Sequence, residues 1–501
     1  MNRHTSFGDA DADGPYRQLE AFDDADQAVA RLSEIYRRSA TTITERFERF
    51  AAGERDLGDY DATYPYLGLE AGHEDFLGDY LIDARPAFGT LPRPGRYGTT
   101  LTRPDLFADY YREQIGLLQR NHGTPVWVGE SRQTIPLPFV IEDATEDVTS
   151  DDVRALQANF VLPDLATIDD AIANGTHQTA PGMPAPMSLF SAERVDLGLL
   201  RLQHYTGTNQ KYFQRFVLFT NYQRYVDEFV EYGRACVAAS VSQDNDYTAL
   251  VEPGDVITGH LSFAAAVGTP PVHLPQMPAY HLVREDGDGI TLVNIGVGPS
   301  NAKTLTDHLA VLRPHCWMMI GHCGGLRASQ KLGDYVLAHA YVRSDHVLNQ
   351  DLPSWVPVPP IAEVQVALQE AVAEVTGGRG PDLKSRMRTG TVASTDNRNW
   401  ELRHDDYFRQ FSQSRAIAID MESATIAANG FRFRVPYGTL LCVSDKPMHG
   451  EIKLRGMANA FYRERINQHL KIGLEAVRRL RENIDQIHSR KLRSLDEPPF
   501  R

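Results

Sequence analysis

Hydrophobic and polar positions along the 501-residue chain change rhythm near residue 213. Before it, residues 24–50 place Ala28, Leu32, Ile35 and Tyr36 on one face at helical spacing, which predicts an amphipathic helix. Residues 97–102 read as a strand, 105–120 as a helix opened by Arg103-Pro104, 126–128 and 138–141 as strands, and 151–159 as a helix. Residues 54–96 read as turn-rich, and the acidic, glycine-containing residues 1–23 are expected to be disordered. Residues 167–186 are rich in Pro, Gly, Thr and Ala and form the expected linker. The division expected is an N-terminal α+β domain over 24–186, serving regulation, oligomer contacts or a lid, and a catalytic domain over 187–501.

After residue 213 short apolar runs alternate with helical stretches. Strands are predicted at 216–220, 290–295, 316–320, 332–342, 387–392, 416–419 and 437–443, with weaker extended segments at 249–251, 272–274 and 281–283. Helices are predicted after the loop 221–224 through 237, at 300–312, 362–375 and 423–429, and over the terminal stretch 458–487. Strands alternating with helices imply an α/β domain with a largely parallel sheet. In such sheets ligands bind outside the carboxyl ends of the strands.

Composition narrows the class. A net charge of −15 argues against a general nucleic-acid binder. Cys236, Cys316, Cys323 and Cys442 form no CxxC pair and read as reduced thiols. The N-terminus has no apolar leader and no run reaches membrane-spanning length, so a cytoplasmic protein without a membrane partner is expected.

The candidate chemistry sits at strand ends. Asp420-Met421-Glu422-Ser423-Ala424 runs from a strand into a helix, and Ser444-Asp445-Lys446-Pro447 ends the next strand. Glu422 and Asp445 there suit a pair in which one carboxylate holds sugar hydroxyls and the other protonates a leaving group; a helix-terminus carboxylate and a turn aspartate are the structural alternative. Gly296-Val297-Gly298-Pro299-Ser300 lacks the full dinucleotide fingerprint, so Gly298 is read as permitting close packing and Ser300 as capping the following helix. Gly321-His322-Cys323-Gly324-Gly325 admits either a ligand or a tight crossover. His322 has no partner at metal-ligand spacing and reads as a hydrogen-bonding group near the pocket or a core histidine, and no metal is expected. Trp400, in the loop that begins at Ser394, is either a stacking platform or a core residue. From the basic set Arg224, Arg327, Arg386, Arg388, Arg398, Lys446 and Lys453, one to three are expected to meet a phosphate ester.

The motifs NIGVGPSNAK at 294–303, IGHCGGLR at 320–327, DMESA at 420–424 and VSDKP at 443–447 occur in order and resemble the nucleoside phosphorylase/nucleosidase superfamily. With NRNWE at 397–401, RVPYGT at 434–439, HGEIK at 449–453, HSRKLR at 488–493, residues 97–104 and LQHYTG at 202–207, the resemblance is to the bacterial AMP nucleosidases and spans nearly the whole chain. It implies a mixed, largely parallel sheet flanked by helices, with an N-terminal α+β regulatory domain, and hydrolysis of AMP to adenine and ribose 5-phosphate. It also implies Asp445, beside Ser444, serving the purine N7, Glu422 at the ribose hydroxyls, and Met421 under the sugar. Gly298, His322, Gly324, Ser394 and Trp400 are expected around the substrate. A homohexamer, activation by Mg-ATP without any cofactor in the chemistry, and inhibition by phosphate complete what it implies.

The chain departs from the superfamily's phosphorylases at Met319-Ile320-Gly321-His322, where they carry arginine before the glycine and serine after it. That loss weakens a site for free phosphate and favours water. The loop 220–224, acidic in related nucleosidases, reads Thr-Asn-Tyr-Gln-Arg, which places the 5′-phosphate of the substrate near Arg224.

Overall fold

The structure, a computed structural model, describes residues 14–72, 88–141, 150–239, 246–262, 268–451, 459–487, 492–495 and 497–501. The chain forms two compact units, residues 1–200 with 493–501, and residues 201–492. Among the described residues no helix is long and apolar enough to cross a membrane.

The first unit contains β1 (Tyr16–Phe22), α1 (Ala25–Ala51), β2 (Thr63–Ala71), β3 (Gly95–Thr100), α2 (Pro104–His122), β4 (Val126–Thr134), α3 (Ser150–Asn159) and β5 (Ala185–Pro186), and it enters α4 (Ala192–Thr206). Its five strands form one sheet in the order β1-β4-β2-β3-β5. Asp24 caps α1 by accepting the Gln27 N–H at 2.9 Å, and Ala28, Leu32, Ile35 and Ile43 bury its apolar face. Three expectations give way here. Residues 16–22 are a strand rather than disordered, because they pair antiparallel with β4; residues 1–13 lie outside the described residues. The turn-rich reading of 54–96 misses β2, a near-continuously buried strand whose Pro65 and Gly68 hide it; Pro65 sits at a register shift against β4, where a missing N–H is tolerated. Residues 138–141 form no strand, since Pro136 and Pro138 remove ladder donors and the chain makes a 3-10 turn at Leu137–Phe139. The terminal residues 493–501, assigned by sequence to the catalytic domain, group with the first unit: Phe500 is buried and its N–H donates to the Met187 carbonyl.

The second unit follows with β6 (Phe216–Thr220), α5 (Gln223–Ala239), β7 (Ala249–Glu252), β8 (Val256–Gly259), β9 (Ala279–Val283), β10 (Ile290–Asn294), α6 (Pro299–Leu309), β11 (Cys316–Gly325), β12 (Tyr335–Ser344), α7 (Ala362–Thr376), α8 (Gly380–Arg386), β13 (Met387–Thr395), α9 (His404–Ser414), β14 (Ala416–Asp420), α10 (Ser423–Phe433), β15 (Tyr437–Asp445) and α11 (Asn459–Glu482). Its ten strands run β14-β13-β12-β15-β11-β6-β10-β9-β7-β8, and β14 also pairs with β11, so that β14, β13, β12, β15 and β11 close into a ring. Strands β10, β6, β11 and β15 are parallel neighbours. Every residue of β6 is buried, as a strand covered on both faces requires. The sheet is mixed, as expected: around its parallel pairings β12 meets β15, and β14 meets β11, antiparallel, and β7, β8 and β9 extend it antiparallel. Residues 272–274 form no strand, and α8 and α9 are short helices that the apolar pattern did not suggest.

Parallel alignment of β6, β10, β11 and β15 brings Asn221, Val297, His322 and Asp445 to one end of the sheet. The seam of the ring, where Gly324 faces Ile419 and Gly325 faces Ala418, brings the end of β14 to the same place.

Candidate active site

Glu422 is the N-cap residue of α10, and its backbone carbonyl accepts the Ile426 N–H at 3.0 Å. The exposed amides of this helix start are met by other groups. Asp420 accepts from the Ser423 N–H at 2.9 Å and from the hydroxyls of Ser423 and Ser394, while the Ser394 hydroxyl accepts the Ala424 N–H at 2.9 Å. The Glu422 side chain is thereby left to turn sideways. Its Oε1 accepts the Gly298 N–H at 2.7 Å and its Oε2 accepts the Asn221 amide at 3.0 Å. Gly298 has φ 119° as the N-cap of α6, a conformation that favours glycine, and this aims its N–H at the carboxylate. The expected cap from Ser300 is absent; α6 opens on Gly298 and Pro299 without a side-chain cap.

At the end of β15 the ladder with β11 skips one residue. Cys323 pairs with Val443 and Gly324 with Asp445, so Ser444 is bulged. Its hydroxyl donates to Asp445 Oδ1 at 2.6 Å and also lies 3.3 Å from the Cys323 carbonyl. The next residue, Lys446, is buried and ion-paired to Glu451.

These elements enclose a cavity of about 370 Å³. Asp445, Glu422, Met421, Ser444, His322, Gly324 and Trp400 all stand on its wall, so most of the residues singled out by sequence converge. Trp400 is 7% exposed and packs edge-on against Tyr407 and Phe411, which makes it a wall anchored in a small aromatic core. His322 lies against the rings of Tyr222 and Tyr225. Three residues stand elsewhere. Ser394 is fully buried behind the wall, on Asp420; Gly298 supports Glu422 through its backbone; Arg224 lies in the first turn of α5 and is not part of the lining. In the basic set Arg398 stands on the wall, Arg388 reaches Ser329, and Lys453 lies outside the described residues.

Asn221, Asp420 and Glu401 also line the cavity and were not assigned from sequence. Asp420 carried a signal, since it opens the quoted DMESA motif. Asn221 carried none beyond its place after a strand.

Burial governs the electrostatics. Glu422 is wholly inaccessible, and desolvation together with the neighbouring Asp420 pushes its carboxyl up to about 8, against the opposing pull of the Gly298 and Asn221 donors. Asp420 is itself pushed up to about 6 by burial, restrained by its serine donors. The pair shares its protons, and Glu422, with fewer donors, is the more readily protonated partner. Burial likewise raises the Cys323 thiol well above its ordinary range, which keeps it a thiol. Among the described residues no three His, Cys, Asp or Glu side chains are grouped to hold a metal ion.

Comparison with known proteins identifies the family. A profile described as "Bacterial AMP nucleoside phosphorylase N-terminus" matches residues 27–184, and one described as "Phosphorylase superfamily" matches 269–478. AMP nucleosidase of Escherichia coli (strain K12) is 54% identical over 417 residues, 83% of this chain and 85% of that protein. Among solved structures, AMP nucleosidase from Bacteroides thetaiotaomicron VPI-5482 is 29% identical with a TM-score of 0.42, covering 58% of this chain and 98% of its own. Purine nucleoside phosphorylase from Toxoplasma gondii in complex with immucillin-H is 17% identical with a TM-score of 0.40, covering 56% and 98% respectively. By sequence identity across most of its length, the chain belongs to the AMP nucleosidase family.

Proposed function

We propose that the protein hydrolyses the N-glycosidic bond of AMP, giving adenine and ribose 5-phosphate, in purine nucleotide salvage and control of the AMP level. The observation that carries this reading is the convergence of Glu422 with Met421 and of Asp445 with Ser444 on one cavity, in a member of this family. Asp445 delivers a proton to N7 as the C1′–N9 bond breaks, and the Ser444 hydroxyl fixes the rotation of its carboxyl. Glu422 holds the 2′- and 3′-hydroxyls. Held as an acceptor by the Gly298 and Asn221 N–H groups, its carboxylate charge stabilises the positive charge that develops on the ribosyl ring, and so favours the oxocarbenium-like transition state over the ground state. Water supplies the hydroxyl at C1′. Phosphate is disfavoured as nucleophile because Met319, at the phosphorylases' arginine position, is a fully buried apolar side chain.

Arg398 on the wall and Arg224, three residues beyond Asn221, are the guanidinium groups proposed for the 5′-phosphate. The proposal extends to a cytoplasmic homohexamer activated by Mg-ATP and inhibited by phosphate through the N-terminal unit. The family match over residues 27–184 marks the unit to which this regulation is assigned. The test is adenine release from AMP in phosphate-free buffer, with and without Mg-ATP. Adenine with ribose 5-phosphate supports hydrolysis, and a higher rate with Mg-ATP supports the regulation. No release without phosphate, with ribose 1-phosphate formed from adenosine once phosphate is added, overturns it in favour of a phosphorylase.

A further inference from the structure

We infer that Asn221 is a positioning residue for Glu422: its side-chain amide holds the carboxylate as an acceptor turned toward the ribose hydroxyls. The inference rests on the role proposed above for Glu422.

The geometry is built from both sides. Asn221 follows β6 directly, and its chain is fixed there because the Thr220 carbonyl accepts the Ile295 N–H at 2.9 Å. Its Nδ2 donates to Glu422 Oε2 at 3.0 Å. Its Oδ1 rests over Gly321, where an added Cβ would come within 3.1 Å of that oxygen and 2.7 Å of the Met319 methyl carbon. Gly321 therefore provides the space in which the amide lies, and the acceptor carboxylate selects the N–H end of it.

With the Gly298 N–H on Oε1, each carboxylate oxygen receives one donor. A protonated carboxyl satisfies only one of two such donors well, because its hydroxyl faces the other N–H head-on. The two donors thus favour the ionised form, in opposition to burial and to Asp420. The other ionisable groups on the cavity wall are Asp445 from β15, His322 and Cys323 from β11, and Arg398 and Glu401 beyond β13. From α10, Thr425 engages Asp345. An aspartate at 221 would add a further carboxylate to this cluster, and a leucine would remove the amide donor and leave Glu422 with backbone donors only.

The experiment compares the parent, Asn221→Leu, Glu422→Gln and the double variant. Asn221→Leu is expected to lower kcat/KM for AMP by about 10-fold at pH 6.5, with the deficit shrinking to within about threefold by pH 9, where a larger share of Glu422 is ionised in both proteins. A deficit of the same size at every pH, or none, overturns the inference. The second arm uses the ligand-free protein and needs no activity. The thermal midpoint of Asn221→Leu should fall further below the parent as pH rises from 5 to 9, and this pH dependence should vanish in the Glu422→Gln background. A pH-independent shift of equal size in both backgrounds overturns the inference. If the parent releases no adenine from AMP, the functional reading fails while the thermal arm still decides the Asn221–Glu422 coupling.

Discussion

Asp196 in the first unit and Glu422 in the second are both buried carboxyls held far above their ordinary range, and they differ in what closes over them. Asp196 is 3% exposed and pushed up to about 7 by desolvation. Its Oδ2 accepts from the Tyr64 hydroxyl at 2.7 Å and its Oδ1 from the Thr102 hydroxyl at 2.8 Å. It stands on no wall of the 570 Å³ cavity that this unit contains between α1 and the start of α2. Glu422 takes backbone and amide N–H donors and faces a cavity shared with a second carboxyl, Asp445. Hydroxyl partners serve either protonation state because they donate or accept; a pair of N–H partners, one on each oxygen, favours the ionised one. The comparison teaches that a raised carboxyl marks a site only when it opens on a cavity with partners suited to one charge state.

The sharpest way to break this contrast is at Asp445. Asp445→Asn should cut turnover of AMP about 100- to 10,000-fold with KM within about threefold, read by adenine release. Retention of more than half the parent turnover would remove the proton donor from the scheme.

Glu422→Gln should lose at least about 100-fold in turnover while gaining stability, since Glu422 is a buried acid that must ionise at high pH. The folded state keeps its proton up to about pH 8 whereas the unfolded chain releases it near 4.5, so the parent loses stability as pH rises through that window. The variant should therefore melt about 2 °C or more above the parent at pH 8.5, with the gap closing at pH 5. A variant less stable than the parent at both pH values would contradict the burial argument.

Ser394→Ala separates a support from a ligand. Removal of its bonds to Asp420 and the Ala424 N–H should cost about 1–2 kcal/mol and lower turnover several-fold, with KM for AMP little changed. A selective rise in KM would return Ser394 to the substrate shell. The smallest effect is expected at Asp196→Asn, which should flatten the loss of stability between pH 4 and 7, by about 2 °C, and leave AMP turnover within about twofold. A large activity loss there would show that the two carboxyls are not separable in the way their partners suggest.

The sequence made the site's membership more legible than its wiring. Apolar runs ending in Asp445 and in Asp420-Met421-Glu422 mark strand ends, and parallel topology brings such ends together. What it hid depends on pairs far apart in the chain. Asn221 meets Glu422 across 201 residues, and Ser394 meets Asp420 across 26. No local pattern encodes either bond. Likewise β2 escaped notice because Pro65 and Gly68 interrupt its alternation, and the antiparallel seam that closes the ring pairs Gly324 with Ile419 across distant segments. Trp400 illustrates the reverse limit: its packing is that of a core residue, and the same residue stands on the cavity wall.

The skipped pairing at Ser444 has a consequence for how this chemistry can be moved between scaffolds. In an unbroken strand neighbouring side chains leave on opposite faces, so a serine and an aspartate in succession would be sent to two different layers. The extra residue resets the alternation once, and both side chains reach the same cavity within hydrogen-bonding distance of each other. A graft of the Ser-Asp dipeptide onto a regular strand would transplant the letters and lose the geometry. The portable unit is the dipeptide together with its miscounted partner strand, Cys323-Gly324.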